Sequence, residues 1–295
     1  MSKLFLILFL PILVVFTTVA QTPESKPAAT ATAQTVAGET ADNNDKALIE
    51  SIKSGDLPGV IKLLEEGADP GATDDGGSTA LCWAVRVNRV DLVKALLAQK
   101  AKVDQEESDG GTALHAAAAI GSAELVKLLL DHGAGVNHKD KGGHSALMIA
   151  AFGAMIKNAP QWLASALFQL DDDDEMFTRI GNEHNLAAQV LLQAGADVNA
   201  QAEDCGMTTL MVAALSGNAE LARILLANKA DVNIKNGDKS ALMFAEDFDS
   251  PESLQSELKD SKDNEERQTL LNWIQLTAPG RHELARMLRK AGART

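Results

Sequence analysis

Three patterns of apolar and polar positions divide the chain. The first is an apolar run from Leu4 to Phe16, behind a short segment carrying Lys3, with the small-residue stretch Thr18-Val19-Ala20 ahead of Gln21. Such a run ending in small residues predicts that residues 1–20 are a signal peptide removed on export. A retained membrane anchor is the alternative, but Leu4–Ala20 is interrupted by Pro11 and lies at the bottom of the roughly 17–25 residues needed to span a bilayer. No basic stop-transfer cluster follows, and the first cysteine is Cys82, too far on to carry a lipid at the cleavage point. The second pattern, residues 21–41, is Thr, Ala, Pro, Gln and Glu with Val36 as the one large apolar side chain. It cannot bury enough area to offset the entropy of ordering, and a flexible leader is expected.

The third pattern fills residues 42–295 and repeats. Leu48, Leu81, Leu114 and Leu147 recur at one constant spacing in similar surroundings, which predicts a stack of equivalent units. In each unit a hydroxyl residue (Thr79, Thr112, Ser145, Thr208, Ser240) stands where it would cap a short first helix. A second helix follows with Leu at helical spacing, as in Leu125, Val126, Leu128 and Leu129. Gly67, Gly133, Gly195 and Gly292 then end it, as glycine does in the left-handed position beyond a helix C-terminus.

The clearest copy, Thr112-Ala113-Leu114-His115-Ala116-Ala117, resembles the T-P-L-H-x-A signature of an ankyrin repeat. Further copies open with Ser78-Thr79-Ala80-Leu81, Ser145-Ala146-Leu147-Met148, Thr208-Thr209-Leu210-Met211 and Ser240-Ala241-Leu242-Met243, and a degenerate one lies around Ala47-Leu48-Ile49. The resemblance implies an all-α solenoid of about six repeats, each a helix–turn–helix plus a hairpin tip, over residues 42–295. From Leu147 to Leu210 the spacing is nearly twice that of the earlier leucines, so an insertion is placed at about 154–182 inside the fourth repeat. A second insertion of similar size is placed at about 249–279 inside the sixth. Its far end is set by phase, because Gly280 to Gly292 repeats the spacing of Gly55–Gly67 and Gly121–Gly133. The last repeat then closes the stack, with Arg281, Arg286, Arg289, Lys290 and Arg294 supplying a polar end cap. The chain departs from the family pattern where Ala or Thr replaces the helix-starting Pro, and where Asn88, Lys100 and Lys229 stand at glycine positions.

Composition narrows the function. Lys+Arg 27 against Asp+Glu 41 gives 27 − 41 = −14, the wrong sign for nucleic acid or an anionic membrane surface. Only 4% of residues are aromatic, which suits Ala-rich helices stacked closely. Cys82 and Cys205 are placed about three repeats apart and are not expected to pair. The resemblance gives His115 a structural hydrogen-bonding role. His138, His144 and Asp140 share one predicted tip without an evident third close ligand, so no metal site is expected. Asp171 to Glu175 lacks the layout of a calcium loop. No phosphate-binding loop, nucleophile elbow or His-Glu-x-x-His is present. The expectation is a non-enzyme without cofactor.

What remains is a surface for a protein partner, monomeric when unbound. By the resemblance, the hairpin tips place Asp75, Ser108, Asp109, Lys141, His144, Asp204 and Met207 on a groove, and the first helices add Arg86, Val87, Ile120, Phe152 and Leu215. Most of those helix residues are apolar, which predicts an exposed apolar face. Trp162 and Phe168 in the first insertion and Trp273 in the second are candidate aromatic anchors beside acidic stretches. The acidic balance predicts a partner with a basic cleft. The resulting expectation is a periplasmic binding protein, an inhibitor or self-protection (immunity) factor against an envelope hydrolase such as a peptidoglycan hydrolase or lipase. A secreted effector or scaffold that engages a host or envelope protein is the alternative.

Overall fold

The computed structural model describes residues 36–157, 183–246 and 264–294. The expected signal peptide, most of the leader, the bulk of the first insertion, with Trp162 and Phe168, and the first half of the second lie outside the described residues. The described part holds 12 helices and one two-residue hairpin. In chain order these are α1 (Val36–Lys53), α2 (Leu57–Glu65), α3 (Ala80–Arg86), α4 (Val90–Ala98), α5 (Ala113–Ala119) and α6 (Ala123–Asp131). There follow α7 (Ala146–Lys157), α8 (His184–Gln193), α9 (Thr209–Ser216), α10 (Ala219–Ala227), β1 (Lys235–Asn236), β2 (Lys239–Ser240), α11 (Ala241–Glu246) and α12 (Asn264–Lys290).

Helices pair within a unit, α1 with α2, α3 with α4, and so on to α11 with α12. First helices stack in a row, α1 on α3 on α5 on α7 on α9 on α11. Each unit therefore buries its apolar face against its neighbours, as an all-α solenoid does. The reason lies in residue size. α5 is Ala-Leu-His-Ala-Ala-Ala-Ala, and every one of its residues is buried between α3 and α7. Leu48, Leu92, Leu125, Leu191, Leu221 and Leu284 fill the space between layers.

Local chemistry sets the helix ends. Thr79 Oγ1 accepts from the Cys82 N–H at 3.1 Å, and Thr208 Oγ1 accepts from the Met211 N–H at 3.3 Å. Ser240 departs from that expectation: it closes β2, and its buried hydroxyl has no hydrogen-bond partner. The helix-ending glycines have φ of +93° at Gly67, +88° at Gly133, +93° at Gly195 and +91° at Gly292. Asn88 (+52°), Lys100 (+66°) and Lys229 (+66°) adopt the same left-handed region, which costs an L side chain roughly 1–2 kcal/mol.

Three features differ from the sequence reading. α1 starts at Val36, so the last residues of the expected leader are helical backbone. α7 has 12 residues where α3 and α5 have 7, so the first insertion starts as a continuation of the first helix. The sixth unit has no turn at Gly280. α12 runs unbroken for 27 residues through Pro279 and Gly280, and a Cβ at Gly280 would strike the Gly217 carbonyl. Gly280 serves close approach of α12 to the end of α9. Arg281, expected on the polar end, is fully buried and bonds Thr277 Oγ1, whereas Arg286, Arg289, Lys290 and Arg294 lie toward solvent.

Candidate functional site

The hairpin tips are built by aspartates that fold the backbone back on itself. Asp74 Oδ1 accepts from the Gly76 and Ser78 N–H groups at 3.0 and 2.9 Å. Asp109 Oδ1 accepts from Gly111 at 2.8 Å, and Asp140 Oδ1 from Gly142 and His144 at 2.9 and 2.8 Å. A carboxylate that accepts backbone bonds two residues on makes an Asx turn, and the glycines leave room for it. Successive tips are then zipped together. The Lys141 N–H donates to Asp109 O at 2.9 Å and its ammonium to Ser108 O at 2.7 Å. The Glu203 and Asp204 N–H groups both donate to Gly142 O, at 2.9 and 3.1 Å. Asn236 Nδ2 donates to Cys205 O at 2.7 Å.

This edge displays more carboxylates than cations. Asp75, Glu203, Asp204 and Asp238 are exposed and Asp74 and Asp109 half-buried, beside the exposed cations Lys139, Lys141, Lys235 and Lys239, of which Lys139 lies 3.6 Å from Glu203. At its N-terminal end Lys46, Ile49, Glu50, Lys53, Thr73, Asp74 and Asp75 line an open cavity of about 230 Å³. Trp83 forms part of the same corner. Its indole N–H donates to Asp74 Oδ2 at 2.8 Å, and the Lys53 ammonium lies 4.7 Å from its ring centroid.

The predicted site residues divide cleanly. Asp75, Ser108, Lys141 and Asp204 are exposed tip residues and Asp109 is half-buried beside them. The expected apolar face is not formed by the helix residues named for it. Ile120 (3% exposed), Phe152 (1%) and Leu215 (2%) are core, and Val87 is half-buried. First helices contact each other directly in the stack, so their last residues fall between neighbouring helices instead of on the groove. Arg86, another of these, is buried, with Nη2 2.6 Å from Glu107 Oε2. Met207 is buried as well, and His144 is fully so. The side chain of Trp273 lies outside the described residues. Among the described residues the exposed large apolar side chains are Ile61 and Leu186, on second helices.

Histidines organise the floor beneath the tips. His115 Nδ1 meets the Thr112 N–H at 3.2 Å and its Nε2 lies 3.2 Å from His144 O, joining two units. Burial pushes the His115 imidazole below its ordinary value, aided by His138 and opposed by Asp140. His138 does not join His144 in a metal site; it sits 3.3 Å from Glu106 and edge-on to His115. His144 instead meets the next tip. Its Nδ1 is 3.0 Å from both Asp140 carboxylate oxygens, and its Nε2 is 3.3 Å from Asp204 Oδ1. Burial alone would lower the His144 imidazole, but the Asp140 hydrogen bond, contact with Cys205 and the charges of Asp140 and Asp204 outweigh it and raise it to about 10. Asp140 responds in the opposite sense: its burial works against ionisation, yet the His144 hydrogen bond and charge hold it below the usual carboxylate range.

His184 carries no signal in the repeat pattern. It opens α8, is 2% exposed, and places Nε2 3.0 Å from Ala119 O. Cβ atoms at Gly121 or Gly153 would run into its ring, so both glycines make room for it. Cys82 and Cys205 are free thiols, as expected; burial and the Glu107 charge push the Cys82 thiol far up.

Among the described residues no helix is long and apolar enough to cross a membrane. A family model described as ankyrin repeats matches residues 29–107, 91–169 and 178–266, in 3 copies. Comparison with curated proteins gives no match.

Proposed function

The chain belongs to the ankyrin-repeat family, whose members are generally protein–protein interaction modules, and on that premise we propose that it is a non-enzymatic binding protein whose tip edge grips a basic protein surface. The observation that carries this is the edge itself, with four exposed carboxylates (Asp75, Glu203, Asp204 and Asp238) on turns of which the later ones, from Asp109 to Asn236, are hydrogen-bonded to one another. Such a row supplies orientation and a fast approach more than raw affinity, through complementary potential with the partner. A net charge of −14 adds long-range attraction of the same sign.

We further propose that the protein is exported, to the periplasm or beyond, and there blocks an envelope-acting hydrolase as a self-protection factor. The apolar run from Leu4 to Phe16 supports export. Enzymes that attack cell wall or lipid endanger their producer, and a compact acidic binder fits the cationic clefts that such anionic substrates require.

The test is capture with the purified chain in an extract of the producer's periplasm, followed by assay of what is held. One stoichiometric hydrolase, inhibited on binding and associating more slowly as salt rises, is the expected result. A captured hydrolase whose activity is unchanged overturns the inhibitory role. A partner found only in host or neighbouring cells replaces this reading with that of a secreted effector.

A further inference from the structure

The fourth and fifth hairpin tips converge on a group of side chains that neither tip contains alone. His144 comes from one; Asp204 and Cys205 come from the other, on the far side of the first insertion in sequence. One ligand atom from each, an imidazole nitrogen, a carboxylate oxygen and the thiol sulfur, lie within 4.8 Å of one another. We propose that His144 Nε2, Asp204 Oδ1 and Cys205 Sγ form a binding site for a single Zn²⁺ ion that staples these two tips together.

Four observations support it. First, His144 is wholly buried, yet its Nε2 makes no hydrogen bond and is aimed at the Asp204 carboxylate and the thiol. Buried polar atoms are rarely left so, and a nitrogen that faces a carboxylate and a thiol is placed to share a cation with them once its proton is displaced. Second, the 3.3 Å from Nε2 to Asp204 Oδ1 is close to the tetrahedral edge of about 3.4 Å that zinc–nitrogen and zinc–oxygen bonds of about 2.0–2.2 Å define. Third, the other ring nitrogen, Nδ1, is held by Asp140 at 3.0 Å, the carboxylate–histidine arrangement that orients a metal-binding imidazole and raises its basicity. Fourth, the donor set of one imidazole, one carboxylate and one thiolate is the borderline-soft mixture that zinc prefers and that magnesium and calcium do not.

The proton balance is simple. Binding displaces the Nε2 proton of His144 and the Sγ proton of Cys205 to solvent, and Zn²⁺ takes their place between Asp204 and the two new donors. A water completes the tetrahedron, on the side where Asp204 and Cys205 are partly exposed.

The test is a Co²⁺ titration of the chelator-stripped full chain, followed by Zn²⁺. One equivalent of Co²⁺ is expected to give a thiolate-to-cobalt charge-transfer band in the near ultraviolet, abolished by one equivalent of Zn²⁺, with the thermal midpoint rising on zinc binding. Cys205→Ser and Asp204→Asn alter partly exposed tip residues and leave the buried floor intact. The first is expected to lose the band, and the second to weaken zinc binding by at least the roughly 10–100-fold that loss of an outer-shell partner causes. Cys82→Ser is expected to keep both band and stoichiometry. No band at one equivalent, a band that survives Cys205→Ser, or a band lost with Cys82→Ser overturns the site.

Discussion

Arg86 Nη2 lies 2.6 Å from Glu107 Oε2, with the two side chains only 3% and 7% exposed, so α3 is locked to the approach of the next tip by a buried ion pair. Arg86 Nε and Glu107 Oε1 make no further hydrogen bond, so the pair satisfies itself only in part. Removing one partner leaves the other charge buried, which costs about 3–5 kcal/mol. Glu107→Leu and Arg86→Met are each expected to destabilise by that amount in urea unfolding, and the double variant by less than either. Single variants within about 1 kcal/mol of the parent would show that the pair is solvated.

Gly153 and His184 make the second prediction. Gly153→Ala adds a methyl where the His184 ring already sits, and overpacking of this kind costs typically about 1–3 kcal/mol. Thermal unfolding should show that loss, and His184→Ala added to Gly153→Ala should recover part of it. Equal stability of Gly153→Ala and parent would mean that the ring has somewhere else to go.

These two contacts also show where sequence reading stops. The glycines at 67, 133, 195 and 292 are legible because a left-handed residue after a helix is a backbone requirement that local sequence records, and Lys100 and Lys229 stand out against it. The outward or inward aim of Ile120, Phe152 and Leu215 is not legible, because it depends on how closely first helices stack and not on the short helices themselves. Gly280 misleads for a related reason: its spacing from Gly292 matches a turn, whereas its actual role is to let α12 approach Gly217. The exposed tips Asp75, Ser108, Lys141 and Asp204 are legible from the repeat phase. The meeting of His144 with Asp204 and Cys205 is not, since the insertion separates them in sequence while the stack makes them neighbours.

The thiols should behave differently. Cys205 is partly exposed at a tip, whereas Cys82 is fully buried with its thiol pushed far up by burial and by Glu107. With chelator present, an alkylating reagent at neutral pH should modify one thiol in the native protein and two after unfolding. Mass mapping should place the first adduct on Cys205. Adduct on Cys82 in the native state would contradict its burial.

His115 gives the pH prediction. Its imidazole is lowered in the folded state relative to about 6.5 in the unfolded chain. The unfolded state therefore binds a proton that the folded state refuses, so this contribution is present above pH about 6.5 and is lost as pH falls below it. Imidazole NMR should show a His115 ring still mostly neutral at a pH where an unfolded-chain histidine is half protonated. A ring protonated at or above the unfolded value would contradict the buried bonds to Thr112 and His144.

The central claim, that the tip edge is where this protein holds its partner, is tested most directly by charge reversal. Asp75, Glu203 and Asp238 would be changed together to Lys, and retention of the captured partner compared with that by the parent chain and by a variant altered at the exposed second-helix residues Ile61 and Leu186. Loss of the partner with the tip variant alone is the predicted result. Unchanged retention by the tip variant, or loss with the Ile61 and Leu186 changes instead, would place the contact on another surface.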